Sequence, residues 1–152
     1  MSERMKSHLL RKGRYCCAGQ IYLITATTQN RTPLFMEWTL GRLVVRQLRA
    51  AHDRGEVRSL AWVVMPDHMH WLFELRRESL NRVMQKVKSR SALAINKARS
   101  CSGQVWQDGY HDKAVRREED VLAFARYIVA NPVRAGLVRS VREYPLWDAI
   151  WI

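Results

Sequence analysis

Residues 61–75 read AWVVMPDHMHWLFEL, two runs of strand-forming residues on either side of one Pro-Asp step. Pro66 presets the first central position of a tight turn and lacks the N–H that a central strand must donate, so Pro66-Asp67 reads as a turn. With the preceding "VRSL", the stretch is a β-hairpin. Side chains alternate along a strand, so His68 and His70 project from one face while Met69 and Trp71 project from the other. Two imidazoles on one face of a rigid strand can grip a single cation if other oxygen or nitrogen donors complete the site. Taken alone, the H-x-H spacing fits two hydrogen-bonded structural histidines at least as readily.

Upstream, "QIYLITATTQN" is rich in β-branched residues and predicts a first strand from about Ile21 to Thr28, followed by a loop at "RTPLF". From Glu37 to His52, Leu40, Val44 and Leu48 recur at helical spacing with Arg42, Arg46 and Arg49 between them, and Gly55 closes the helix. Downstream, "SLNRVMQKVKSRSALAINKA" predicts a second helix with Ser79 as N-cap and Leu80, Val83, Val87 and Ile95 on its apolar face. Arg82, Lys86 and Arg90 align on it at i, i+4 and i+8 as a basic stripe. A short strand and turn in "SGQVWQDGYHDKAVR" precede a third helix in "REEDVLAFARYIVA", whose acidic run favours its positive N-terminal end. The order β-α-β-β-α-β-α predicts an α+β fold, a ferredoxin-like antiparallel sheet with helices on one face. Residues 1–14, basic and poor in apolar matter, read as a flexible arm, and residues 15–152 as one domain.

Twenty-six Lys plus Arg against 14 Asp plus Glu give a net charge of +12 over 152 residues, which points to a polyanionic partner such as nucleic acid. No apolar run approaches the ~20 residues needed to span a bilayer. The N-terminus has no secretory apolar core either, so the expected location is the cytoplasm. Three cysteines, Cys16, Cys17 and Cys101, form no C-x-x-C pair and read as free thiols.

Two further residues could carry chemistry. Tyr127 in "FARYIVA" is read from pattern alone as a half-buried helix aromatic, and Asn131 stands four residues on, so in a continuing helix the two share a face. Pro132 disfavours helical backbone at Asn131, and Asn-Pro also suits an N-cap followed by Pro at the first position of a new helix. Both readings of this junction stand.

At this point the motifs resemble a known family. "MPDHMHWLFEL" resembles the His-hydrophobe-His hairpin of the single-tyrosine HUH transposases, and "ARYIVANPVRAGLV" looks like the catalytic-tyrosine segment of their REP-associated branch. "YLITATTQNRTPLF" and "VWQDGYHDKAVR" match that branch's first strand and the segment before its tyrosine helix. The resemblance runs from about Gly13 to Trp147.

It implies an HUH-type fold and a single-stranded DNA endonuclease and strand transferase acting at repetitive palindromic hairpins. A phenol with an ordinary pKa of ~10 is a poor nucleophile and needs help at the phosphate. In the family's arrangement His68, His70 and Asn131 would hold a divalent ion, Mg²⁺ or Mn²⁺. Tyr127 would then attack to leave a 5′-phosphotyrosine and a free 3′-hydroxyl. Arg82, Lys86, Arg90, Arg134 and, in the arm, Arg14 are candidate phosphate contacts, with His111 an accessory or DNA-facing residue. Trp106 and Tyr110 are candidates either for base stacking or for core packing. The branch resembles monomers, with a dimer as the alternative, and the DNA partner implies association with the nucleoid. Two other functions compete: a hairpin-binding regulatory protein that does not cut, and a zinc hydrolase in which Tyr127 is structural.

Overall fold

The computed structural model describes residues 19–150. The expected basic arm with Arg14, and Cys16 and Cys17, lie outside these residues. Five strands form one antiparallel sheet: β1 (Ile21–Thr27), β2 (Val57–Met65), β3 (His68–Leu75), β4 (His111–Val115) and β5 (Trp147–Ala149). Their spatial order is β4-β1-β3-β2-β5. The helices are α1 (Trp38–Asp53), α2 (Leu80–Arg99) and α3 (Glu118–Arg134). The predicted β-α-β-β-α-β-α order is therefore present, with β5 added beyond it. Its three residues carried too short a pattern to register as a strand.

The hairpin is the centre of the molecule. Registers pair Trp71 with Ile24 on one side and with Trp62 on the other, and His70 with Thr25 and Val63. Directly paired residues share a face, so Tyr22, Ile24, Trp62, Val64, Met69, Trp71 and Phe73 form one apolar surface, all buried. α1 and α2 pack against each other over this surface. The Trp71 indole N–H is satisfied by Ser59 Oγ at 2.9 Å, and Ser59 N–H by His52 Nδ1 of α1 at 3.1 Å. As expected, Ser79 caps α2, its hydroxyl accepting from Arg82 N–H at 3.3 Å.

The opposite face carries Ala61, Val63, Met65 and Leu72, also buried, because α3 crosses β2 and β3 there. The ferredoxin-like sheet with α1 and α2 on one face is thus as expected, while α3 takes the other face. Over β1, at the margin of α3, Ile21, Leu23, Thr25 and Thr27 stay only half-buried.

Lys86 departs from the expected basic stripe. Its ammonium reaches Glu56 at 2.6 Å and Glu78 at 3.4 Å, so its charge is neutralised inside the fold and not offered to phosphate. Burial pulls the Glu56 pKa up, but the hydrogen bonds and charges of Arg54 and Lys86 outweigh it and leave that carboxyl below its ordinary value of 4.5. A carboxylate with a lowered folded pKa contributes stability above its unfolded pKa and loses it as pH falls through the folded one. Lys86→Met is expected to lower unfolding stability by about 1–3 kcal/mol at neutral pH. Urea titrations should show the gap to the parent protein closing as pH drops below 4.5, where Glu56 takes up its proton.

Candidate active site

β3 leaves the Pro66-Asp67 turn with His68 as its first residue, and alternation brings His70 out beside it. The two rings lie edge to face with centroids 4.9 Å apart. Each imidazole is held at Nδ1. Asp67 Oδ1 is 2.7 Å from His68 Nδ1, and Thr25 Oγ1, across the β1–β3 ladder, is 2.8 Å from His70 Nδ1. Burial, then the nearby charges of His68 and Arg134, push the His70 pKa down from 6.5 to about 4. His70 is therefore a neutral imidazole at neutral pH, the state in which a ring nitrogen can act as a ligand. Partial burial would raise the Asp67 pKa, yet the hydrogen bond and charge of His68 and the charge of Arg31 hold it below 3.8.

α3 supplies the rest. It runs unbroken through Asn131 and Pro132 to Arg134, so there is no helix junction. The missing N–H of Pro132 deprives the Ile128 carbonyl of its helical donor. This loss falls within the last two turns of the helix, and burial of the Pro132 ring offsets it. Tyr127 lies over the histidine strand, its ring centroid 6.0 Å from that of His70 and the residue 47% exposed. The residue is thus half-buried, as the pattern predicts, with about half of its surface open to solvent beside the histidines. Asn131 follows one turn later on the same side of the helix. Arg134 folds back across both. Its guanidinium carbon is 4.0 Å from the Tyr127 ring centroid, and Nη2 donates to Tyr127 O at 2.9 Å and to Asn131 Oδ1 at 3.1 Å.

Five of the expected residues therefore converge: His68, His70, Tyr127, Asn131 and Arg134. His111 is on the same face but at a distance, since it pairs with Thr25 and Thr25 pairs with His70. Two strand spacings put it about 10 Å from the pair. Arg82, Lys86 and Arg90 ride on α2, across the sheet from the histidines, and do not join the cluster. Trp106 is a core residue, 4% exposed, with its N–H on Ser91 Oγ at 3.0 Å. The Tyr110 hydroxyl bonds Asn81 Oδ1. Sequence reasoning missed the partners of the histidines, Thr25 and Asp67. Asp67 was visible as the residue before His68, but Thr25 is identified only by strand register.

Among the described residues no group of three or more His, Cys, Asp and Glu side chains could enclose a metal ion. A cation here would draw on two imidazole nitrogens and the Asn131 amide oxygen, a donor set without thiolate that suits Mg²⁺ or Mn²⁺ better than a soft metal. Imidazole nitrogen and amide oxygen are donor types that such an ion accepts, and the Asn131 oxygen, which takes a hydrogen bond from Arg134, keeps a second lone pair.

The low His70 pKa has a measurable consequence. Between pH 6.5 and about 4 the unfolded chain binds a proton at this imidazole that the folded chain does not, so stability falls as pH falls through that window. The slope from one such group reaches about 1.4 kcal/mol per pH unit. In chelator-treated protein, His70→Gln is expected to flatten the dependence of unfolding free energy on pH across that window, as read from urea titrations.

The family model described as "Transposase IS200 like" matches residues 16–131. A REP-associated tyrosine transposase of Escherichia coli is 26% identical over 135 residues, 87% of this chain and 78% of the relative. A Haemophilus influenzae protein assigned to the same class is 21% identical over 142 residues, covering 84% and 78%. The fold matches a solved REP-associated tyrosine transposase bound to a REP hairpin, with a TM-score of 0.71 at 23% identity over 86% of this chain and 76% of that one. Among the described residues no helix is long and apolar enough to cross a membrane.

Proposed function

The chain belongs to the IS200-like transposase family, and on that premise we propose that it nicks and rejoins single-stranded DNA at palindromic hairpins, with Tyr127 as nucleophile. The observation that carries this reading is the approach of an exposed tyrosine on α3 to a paired-histidine strand, 6.0 Å ring to ring. Packing alone does not require either partner of that contact to be a tyrosine or a histidine.

The phenol oxygen of Tyr127 forms a bond to the scissile phosphorus as the bond to the 3′ oxygen breaks, and in-line placement of the two oxygens supplies much of the rate. The phenol proton passes to solvent and the leaving oxygen takes one up, giving a 5′-phosphotyrosine and a 3′-hydroxyl. Attack of that hydroxyl on the phosphotyrosine reverses the step and rejoins the strand, so no external energy source is needed. His68, His70 and Asn131 would hold a divalent ion whose chemistry is Lewis-acid polarisation of the phosphate. Arg134, stacked on the phenol, can turn its remaining donors to a phosphate oxygen and neutralise charge there. His111, on the exposed part of the same sheet face, is placed to meet a flanking nucleotide.

Hairpin DNA as partner is supported by the hairpin in the related structure and by the +12 charge. Phosphate contacts from Arg82 and Arg90 would lie on the far side of the sheet and serve a stem wrapping the domain, not the reacting strand.

The test incubates the protein with labelled hairpin DNA carrying single-stranded flanks, in Mg²⁺ or Mn²⁺, and looks for a denaturant-resistant adduct. Tyr127→Phe is expected to lose the adduct and keep hairpin affinity, and the His68→Ala, His70→Ala double variant to lose cleavage. Cleavage by the double variant would remove the metal role. Tight binding by the parent protein with no adduct in either ion would leave the non-catalytic hairpin-binding function.

A further inference from the structure

We propose that Asp67 and Thr25 are positioning residues that set the tautomer and orientation of His68 and His70, presenting both Nε2 lone pairs together to a divalent cation. This rests on the metal-dependent reading above but is decided by its own observable.

Both contacts are to Nδ1, although the two partners come from different parts of the chain. Asp67 is ionised and can only accept, so at 2.7 Å the hydrogen between them belongs to His68 Nδ1, and in the neutral ring Nε2 keeps its lone pair. Thr25 Oγ1, at 2.8 Å from His70 Nδ1, can accept or donate. Only the accepting arrangement frees His70 Nε2 as a ligand, and two rings 4.9 Å apart on one strand face, both unprotonated at Nε2, would offer two nitrogens to one cation. An oxygen acceptor on the distal ring nitrogen is the usual way proteins fix a ligating histidine.

Asp67 is itself braced. Its backbone carbonyl accepts from Thr28 N–H at 2.9 Å, and its other carboxylate oxygen accepts from Arg31 Nε at 3.1 Å. Arg31 reaches it from an unusual backbone. Asn30 and Arg31 both have positive φ, 56° and 52°, a conformation that side chains other than glycine adopt rarely and that clusters at functional sites. Hydrogen bonds on either side hold the loop there, from Gln29 N–H to Val105 O at 2.8 Å and from Thr28 Oγ1 to Thr32 O at 2.8 Å. Arg31 is largely exposed, so its ion pair adds direction to the carboxylate more than stability.

The primary measurement needs no variant. A long-range ¹H–¹⁵N correlation spectrum of the metal-free protein near neutral pH is expected to show both rings protonated at Nδ1 and unprotonated at Nε2. An Nε2–H tautomer for either ring overturns the proposal for that histidine. Mn²⁺ affinity, read by electron paramagnetic resonance, gives the second arm. Asp67→Ala and Thr25→Val are expected to weaken binding about 10- to 100-fold, while Asp67→Asn and Thr25→Ser, which keep an oxygen at each place, should recover most of it. Unchanged affinity in folded Asp67→Ala and Thr25→Val also overturns the proposal. If the parent protein binds no Mn²⁺, the metal-dependent reading fails, and the tautomers still decide whether Asp67 and Thr25 set the rings.

Discussion

Hydrogen bonding along both edges of β3 is the constraint on which the rest of the molecule depends. The strand is paired with β1 on one side and β2 on the other, so its register cannot slip without breaking two ladders. A slip of one residue would exchange its faces, sending Met69 and Trp71 outward and His68 and His70 into the core. The register that buries Trp71 under α1 and α2 is the same one that sets Thr25 beside His70. Core packing and site assembly are therefore one requirement met once.

α3 exploits the face that this register leaves. Its buried side, with Val121, Ala125, Ile128 and Val129, covers the apolar patch of β2 and β3. The adjoining side carries Tyr127 and Asn131 to the edge of that patch, where the histidines emerge. Toward β4 the helix offers Phe124, whose ring meets Lys113 Nζ at 5.1 Å, and the outer side chains of β1 remain half-buried. A half-exposed tyrosine next to a neutral, partly buried imidazole follows from this placement: burial lowers the His70 pKa while Tyr127 remains in reach of a large substrate.

The positive charge divides into three uses. Some cations serve the fold, such as Lys86 on Glu56 and Glu78, and Lys88, which donates to the carbonyls of Gln107 and Gly109 at 2.8 and 2.6 Å. Others face outward, including Arg42, Arg46 and Arg49 on α1 and Arg82 and Arg90 on α2. Helical spacing cannot separate these uses, since Arg82, Lys86 and Arg90 are equivalent in pattern and differ only in which acidic residues the chain folds against them. Arg134 belongs to a third kind, held at the site by the tyrosine it stacks on.

By itself the sequence determined the hairpin at Pro66-Asp67, the shared face of His68 and His70, the three helices and the antiparallel class, because turn chemistry and side-chain alternation act over a few residues. The motif around Tyr127 also pointed to the site through its resemblance to a family. Only the tertiary structure decided that α3 continues through Pro132 and lies on the face opposite α1 and α2, that Thr25 and Asp67 hold the histidine rings, and that Lys86 is neutralised internally. These outcomes join residues far apart in the chain, and they follow from strand register and helix placement, which are fixed by burying the whole core at once and not by any local pattern.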